Sequence, residues 1–87
     1  MARIEWTRIG LKDLLKLPPK AQATIADKLD ELAAEPSPAN LDVSKLTDRG
    51  DEYRLRVGEY RVIYKVIEGK PRILQIQRVL RRTSRTY

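Results

Sequence analysis

The side chains of this protein that can do chemistry are mostly guanidinium groups gathered at one end. Residues 53–87 hold ten Lys/Arg (Arg54, Arg56, Arg61, Lys65, Lys70, Arg72, Arg78, Arg81, Arg82 and Arg85) and only two acids, Glu59 and Glu68, a local charge of +8. Residues 1–52 carry eight basic and ten acidic side chains, or −2. The positive charge is threaded through strand-like sequence, and a concentrated cationic surface on a rigid sheet is what binding a polyanion requires. Nucleic acid, RNA in particular, is the first partner to consider. Cys and His are both absent. Disulfides and thiolate metal sites are therefore excluded, and the commonest metal ligand and general base at neutral pH is missing. No metal and no cofactor is expected.

The remaining composition sets the bounds. Eighty-seven residues make a single domain, 1–87, with a modest core. No apolar run approaches the roughly 20 residues needed to span a bilayer, so no membrane partner is expected. The start, Met1-Ala2-Arg3-Ile4-Glu5-Trp6, has no uninterrupted apolar region of the kind a secretory signal needs. A soluble cytoplasmic protein is the expectation. Charged residues form 34% of the chain but alternate with Leu, Ile and Val, which suits a folded domain.

The elements that must position the basic residues follow from periodicity. Arg3-Ile4-Glu5-Trp6-Thr7 alternates and reads as a short strand. Leu11, Leu14 and Leu15 fall at helical spacing, and Pro18-Pro19 ends that helix. Pro19 suits the first turn of a second helix, whose apolar stripe is Ala21, Ile25, Leu29, Leu32 and Ala33 and which should stop before Pro36. The short joint makes an αα-hairpin. Residues 36–50 read as a connection long enough that some local structure is expected within it. Tyr53–Val57 and Tyr60–Ile67 alternate as strands around Gly58-Glu59, a two-residue turn with Gly first. Arg72–Leu80 is a third long strand. The expected fold is α+β: an N-terminal strand, an αα-hairpin and a three-stranded antiparallel meander, in the order β-α-α-β-β-β, with the helices on one face of a mostly antiparallel sheet.

Tyr60-Arg61-Val62-Ile63-Tyr64, preceded by Tyr53-Arg54-Leu55-Arg56-Val57-Gly58, resembles the sheet core of the RelE/ParE superfamily of toxins. The closing stretch Val79-Leu80-Arg81-Arg82-Thr83-Ser84-Arg85-Thr86-Tyr87 resembles the RelE tail, in which an Arg ends the last strand and a Tyr follows several residues later. With the element order and length, the resemblance covers nearly the whole chain. It implies the toxin of a toxin–antitoxin pair. In the RelE branch such a toxin is an endoribonuclease that enters the ribosomal A site, beside 16S rRNA, and cuts the mRNA there without a metal. The ribose 2′-OH attacks the adjacent phosphate, leaving a 2′,3′-cyclic phosphate and a 5′-OH, and translation stops. A RelB-like antitoxin is the implied partner, with operator DNA reached only through the antitoxin complex. The ParE branch poisons DNA gyrase instead, and a third possibility is a non-catalytic member that only binds antitoxin or RNA.

On the resemblance, Arg61 matches the phosphate-binding Arg of the core, Arg81 the Arg held near the leaving group, and Tyr87 the terminal Tyr that acts as a base or stacks on a nucleobase. Alternation alone makes Arg61 a solvated sheet residue and Arg81 part of a basic tail, with Arg82 as the alternative register. Arg54 and Arg56 stand where relatives carry Lys. An Arg hardly serves as a neutral base, so charge stabilisation is their expected role. Lys65, Lys70, Arg72, Arg78, Arg82 and Arg85 read as further phosphate contacts that set the salt dependence of binding. Leu80 replaces the His that many relatives place beside the tail Arg, and Glu52, the acid nearest the basic strand, reads as a loop charge. Tyr60 and Tyr64, like Trp6, are assigned to the core. The nuclease reading depends on guanidiniums that converge on one linkage: it falls if Arg61 and Arg81 face opposite ways, or if Arg61 is sunk into an internal ion pair.

Overall fold

The computed structural model of the chain describes residues 2–34, 41–46 and 50–81. Its elements are β1 (Arg3–Trp6), α1 (Arg8–Leu15), α2 (Pro19–Ala34), β2 (Asp42–Lys45), β3 (Glu52–Val57), β4 (Tyr60–Ile67) and β5 (Ile73–Arg81). They form one five-stranded sheet in the order β1-β5-β4-β3-β2. β1 runs parallel to β5, and every other pairing is antiparallel. The helix-on-sheet architecture expected from periodicity is therefore present, with one addition: the connection after α2 contains a fourth meander strand, β2, on the outer edge.

Thr7 turns the chain from β1 into α1. Its backbone is extended (ψ 163°), and its hydroxyl accepts from the Gly10 N–H at 3.0 Å while donating to the Ile76 carbonyl at 2.7 Å. An N-cap of this kind satisfies an otherwise orphaned helix donor. Gly10 is buried against β5, where an added Cβ would stand 2.5 Å from the Ile76 carbonyl oxygen. Only a residue without a side chain lets α1 lie this close to the strand. The expected apolar stripe of α1 is consequently only partly core. Leu14 packs inward, but Leu11 and Leu15 are 43% and 63% exposed, because the helix meets the sheet through its Gly10 side.

The stripe on α2 forms as periodicity predicts. Ile25, Leu29, Leu32 and Ala33 are buried against Leu55, Val57, Val62, Tyr64, Leu74, Ile76 and Val79 of the sheet. Ile25, Leu29, Leu55, Val62 and Ile76 are fully enclosed, and each such side chain contributes about 1.5–3 kcal/mol relative to exposure. Trp6 and Tyr60 pack at the margin of this core. Tyr53 stacks on Tyr64 with ring centroids 5.6 Å apart.

Two features of the meander set which way its side chains point. Val57 pairs with Tyr60, leaving Gly58-Glu59 as a two-residue hairpin loop, and Gly58 takes φ +57°, as the sequence signal requires. In the β4–β5 ladder, Ile63 pairs with Arg78 but Tyr64 pairs with Ile76, so Gln77 is one residue too many. A bulge of this sort reverses the inside–outside alternation of everything beyond it.

Candidate nucleic-acid interface

Directly paired residues on neighbouring strands share a face of the sheet. Leu55, Val57, Val62 and Tyr64 point to the helices, so Arg54, Arg56, Arg61 and Lys65 point to the other, helix-free side. There the ladders build two rows of side chains across four strands. One row runs Asp42, Arg56, Arg61, Leu80; the next runs Ser44, Arg54, Ile63, Arg78. Below them Glu52 stands opposite Lys65, which stands opposite Gln75.

Arg56 and Arg61 face each other directly. Like charges in that position destabilise a sheet unless an anion lies between or beside them. β2 supports the pair from the edge. Asp42 Oδ2 lies 3.8 Å from Arg56 Nε, an ion pair too long to be a hydrogen bond. Arg54 Nη2 donates to Ser44 Oγ at 2.8 Å. The Nε atoms of Arg54 and Arg56 are buried without a hydrogen-bond acceptor, and buried donors normally have one. The side chains of Arg61 and Lys65 make no hydrogen bond or ion pair among the described residues. The face thus presents unspent donors and positive charge, the chemistry a phosphodiester satisfies.

Three of the residues singled out from sequence are placed differently. Arg81 pairs with Tyr60, on the helix side of the sheet, and its guanidinium meets Glu59 Oε1 at 3.1 Å. Arg61 and Arg81 therefore face opposite ways, so the convergence of these two residues on which the nuclease reading depends is not met, and any phosphate clamp on this sheet needs a different second guanidinium. The Gln77 bulge is the reason: counting back from core residue Ile76 without it, Arg81 would share the side of Arg61. Arg78 faces the bare side by register but is engaged by α1, donating from Nε to Asp13 Oδ2 at 2.7 Å. Arg72 is paired with Glu68 at 3.0 Å. Arg82, Arg85 and Tyr87 lie outside the described residues.

Asp13 is held ionised by this arrangement. Burial alone would raise its pKa. The Arg78 hydrogen bond, the Val79 N–H at 3.0 Å and the charges of Arg78 and Lys16 outweigh burial and bring the carboxyl below its usual value. Tyr64 moves the other way, pushed up to about 12 by burial and then by the neighbouring Tyr53. It stays neutral at physiological pH and serves the core. Among the described residues no cluster of acids could hold a metal ion, and no helix is long and apolar enough to cross a membrane.

Sequence reasoning missed Asp42, Ser44 and Asp13. The first two sit on β2, whose four residues give only one and a half alternations and follow a Pro/Ser-rich stretch. Asp13 looks from sequence like one more charge on the polar side of an amphipathic helix.

Over residues 4–85 the chain matches the family described as ParE toxin of type II toxin-antitoxin system, parDE. It is 34% identical over 73 residues to RelE1 of Methanocaldococcus jannaschii, a toxin by assignment, covering 83% of this chain and 80% of that protein. A chain of the archaeal RelE–RelB complex from Pyrococcus horikoshii OT3 superposes with a TM-score of 0.78 at 32% identity, over 95% of this chain and 97% of that one. The toxin–antitoxin complex RelBE2 from Mycobacterium tuberculosis gives 0.71 at 26%, over 92% and 96%. The family match spans nearly the whole chain, and the superpositions cover both the helical hairpin and the sheet. The chain belongs to the RelE/ParE superfamily, and its structure is RelE-like.

Proposed function

We propose that this toxin is a ribosome-dependent mRNA endoribonuclease that stops translation by cutting the message in the A site. The observation that carries this reading is the Arg56–Arg61 pair on the helix-free face, flanked by Arg54 and Lys65, with Arg61 unengaged. In-line attack by a 2′-OH builds negative charge on the non-bridging phosphate oxygens. Two permanently charged, planar guanidiniums on adjacent strands stabilise that charge as it develops and need little reorganisation to do so. The clamp is thus Arg61 with Arg56, rather than Arg61 with Arg81. Neutralising the leaving 5′-oxygen falls to Arg82, the alternative register in the tail. Tyr87 keeps its proposed role of base or stacking platform. Ribosomal RNA fixes the message in the attack geometry and supplies part of the rate.

The partner we propose is a RelB-like antitoxin, as in the complexes from Pyrococcus and Mycobacterium that this chain resembles. Ile9, Leu11 and Leu15 of α1 expose apolar surface that a partner segment would cover. Operator DNA enters only through that complex, and the cytoplasm is where ribosome and antitoxin meet the toxin.

A second reading comes from the family description, which names ParE: a toxin acting on DNA gyrase without cutting RNA. Inducible expression followed by mapping of mRNA 5′ ends separates the two. Breaks within A-site codons support the nuclease; intact messages with trapped gyrase–DNA complexes support the second reading. Growth without arrest overturns both.

A further inference from the structure

A 2′-OH is a poor nucleophile until its proton is removed, and this chain has no His to remove it. A guanidinium hardly serves as a neutral base, and Tyr64 is buried and neutral at physiological pH. The helix-free face does carry a carboxylate in the row that contains the phosphate clamp. Asp42 is the outermost member of Asp42–Arg56–Arg61–Leu80, its side chain is 56% exposed, and its Oδ2 lies 3.8 Å from Arg56 Nε. Asp42 and Arg61 are two strand spacings apart, about 10 Å between backbones. Arg56 lies between them, so Asp42 stands on the β2 side of a phosphate held by Arg56 and Arg61.

Of the other acids among the described residues, five are placed as follows. Glu59 is on the hairpin with Arg81, Glu68 holds Arg72 and Asp13 holds Arg78. Glu52 and Glu5 share the bare face but not the row: Glu52 stands opposite Lys65, and Glu5 accepts from Gln75 Nε2 at 2.8 Å.

We infer that Asp42 is the general base of this toxin, taking the proton of the 2′-OH of the nucleotide whose 3′-phosphate sits on Arg56 and Arg61. The inference rests on the nuclease reading above. The O2′–H bond breaks and its proton passes to the Asp42 carboxylate. The freed oxygen forms a bond to phosphorus as the P–O5′ bond breaks. O5′ takes a proton from water, and Asp42 returns its own to solvent, so the products are the 2′,3′-cyclic phosphate and the 5′-OH. Arg56 plays two parts: with Arg61 it holds the phosphate, and its charge, 3.8 Å from Asp42 Oδ2, draws the carboxylate toward the row.

The test is single-turnover cleavage of ribosome-bound mRNA from pH 4.5 to 8.5 by the unaltered chain and by Asp42→Asn, Asp42→Glu and Arg56→Ala. Asp42 is exposed on an edge strand and Asn is isosteric, so a thermal melt should show the fold retained. Asp42→Asn is expected to slow cleavage roughly 10²–10⁴-fold and to erase the fall in rate on acidification, while ribosome binding is unchanged. Asp42→Glu should keep part of the rate and the acid limb. Cleavage by Asp42→Asn at the unaltered rate, or a uniform loss at every pH matched by Arg56→Ala, overturns the base role and leaves the nuclease reading standing. No cleavage by the unaltered chain overturns both, at the level of that reading.

Discussion

Arg56 and Arg61 stand directly opposite each other on β3 and β4, two guanidiniums in one row across the sheet with the Asp42 carboxylate at its outer end. The folded chain tolerates a repulsion here that a Lys–Glu or Thr–Thr pair would avoid. Arg61→Ala is therefore expected to abolish toxicity while leaving stability unchanged or raised by about 0.5 kcal/mol. Arg56→Ala should weaken toxicity less, since Arg61 still contacts the phosphate. Growth after induction, together with denaturant melts of both variants, checks this. A fully toxic Arg61→Ala variant removes the clamp from the account.

Arg81 and Arg82 should differ in their effect on cleavage. Arg81 is turned to the helix side and tied to Glu59, an exposed pair of little energetic consequence. Arg81→Ala is expected to keep most of the cleavage rate, and Arg82→Ala to lose roughly 10²-fold or more, the usual cost of removing a group that stabilises transition-state charge. The rates of the two single variants on the same ribosome complex decide the matter. A larger loss at Arg81 returns the leaving-group role to it.

That expectation shows where the sequence was readable and where it was not. Alternation in Tyr53–Val57 and Tyr60–Ile67, with Gly58 between them, was enough to put Arg54, Arg56, Arg61 and Lys65 on one face, because a strand has only two sides. The α2 stripe from Ile25 to Ala33 was legible for a similar reason. Arg81 was misplaced because a single extra residue, Gln77, inverts the remainder of β5, and no residue type announces a bulge without glycine. β2 was hidden by its brevity, and Asp42 and Ser44 with it. Nothing around Gly10 signals that α1 rests on a backbone carbonyl, so the helical spacing of Leu11, Leu14 and Leu15 suggests a buried stripe of which Leu11 and Leu15 are at the surface. Family resemblance supplied the roles of Arg61 and Tyr87, which periodicity cannot assign.

Asp13 should be the main acid-labile point of the fold. Its carboxylate joins α1 to β5 through Arg78 and the Val79 N–H, and its side chain is only 13% exposed. A carboxyl whose folded pKa lies below its unfolded value adds stability that is present above the unfolded value, near pH 4, and disappears as pH falls through the folded one. Asp13→Ala leaves the part-buried Val79 N–H without its acceptor and should cost about 1–3 kcal/mol at pH 7. Melts of both proteins from pH 2 to 7 should converge at the acid end. A constant difference across that range contradicts the assignment.

Tyr64 sets the alkaline limit. Its folded value of about 12 exceeds the unfolded value near 10, so its contribution is complete below pH ~10 and is lost as pH rises towards 12. In a spectrophotometric titration one of the four tyrosines should ionise late and together with unfolding. Tyr64→Phe should remove that late step and unfold at higher pH. Four tyrosines titrating together near pH 10 would show that Tyr64 is not sealed in the core.

The most direct measurement uses purified toxin, ribosomes carrying a defined mRNA and no antitoxin, with both ends of any break sequenced and their termini identified. The account predicts one break in the A-site codon with a 2′,3′-cyclic phosphate on the upstream fragment, lost in Arg61→Ala and blocked by a single 2′-deoxy nucleotide at the break. An intact message with the unaltered chain bound to the ribosome would contradict it.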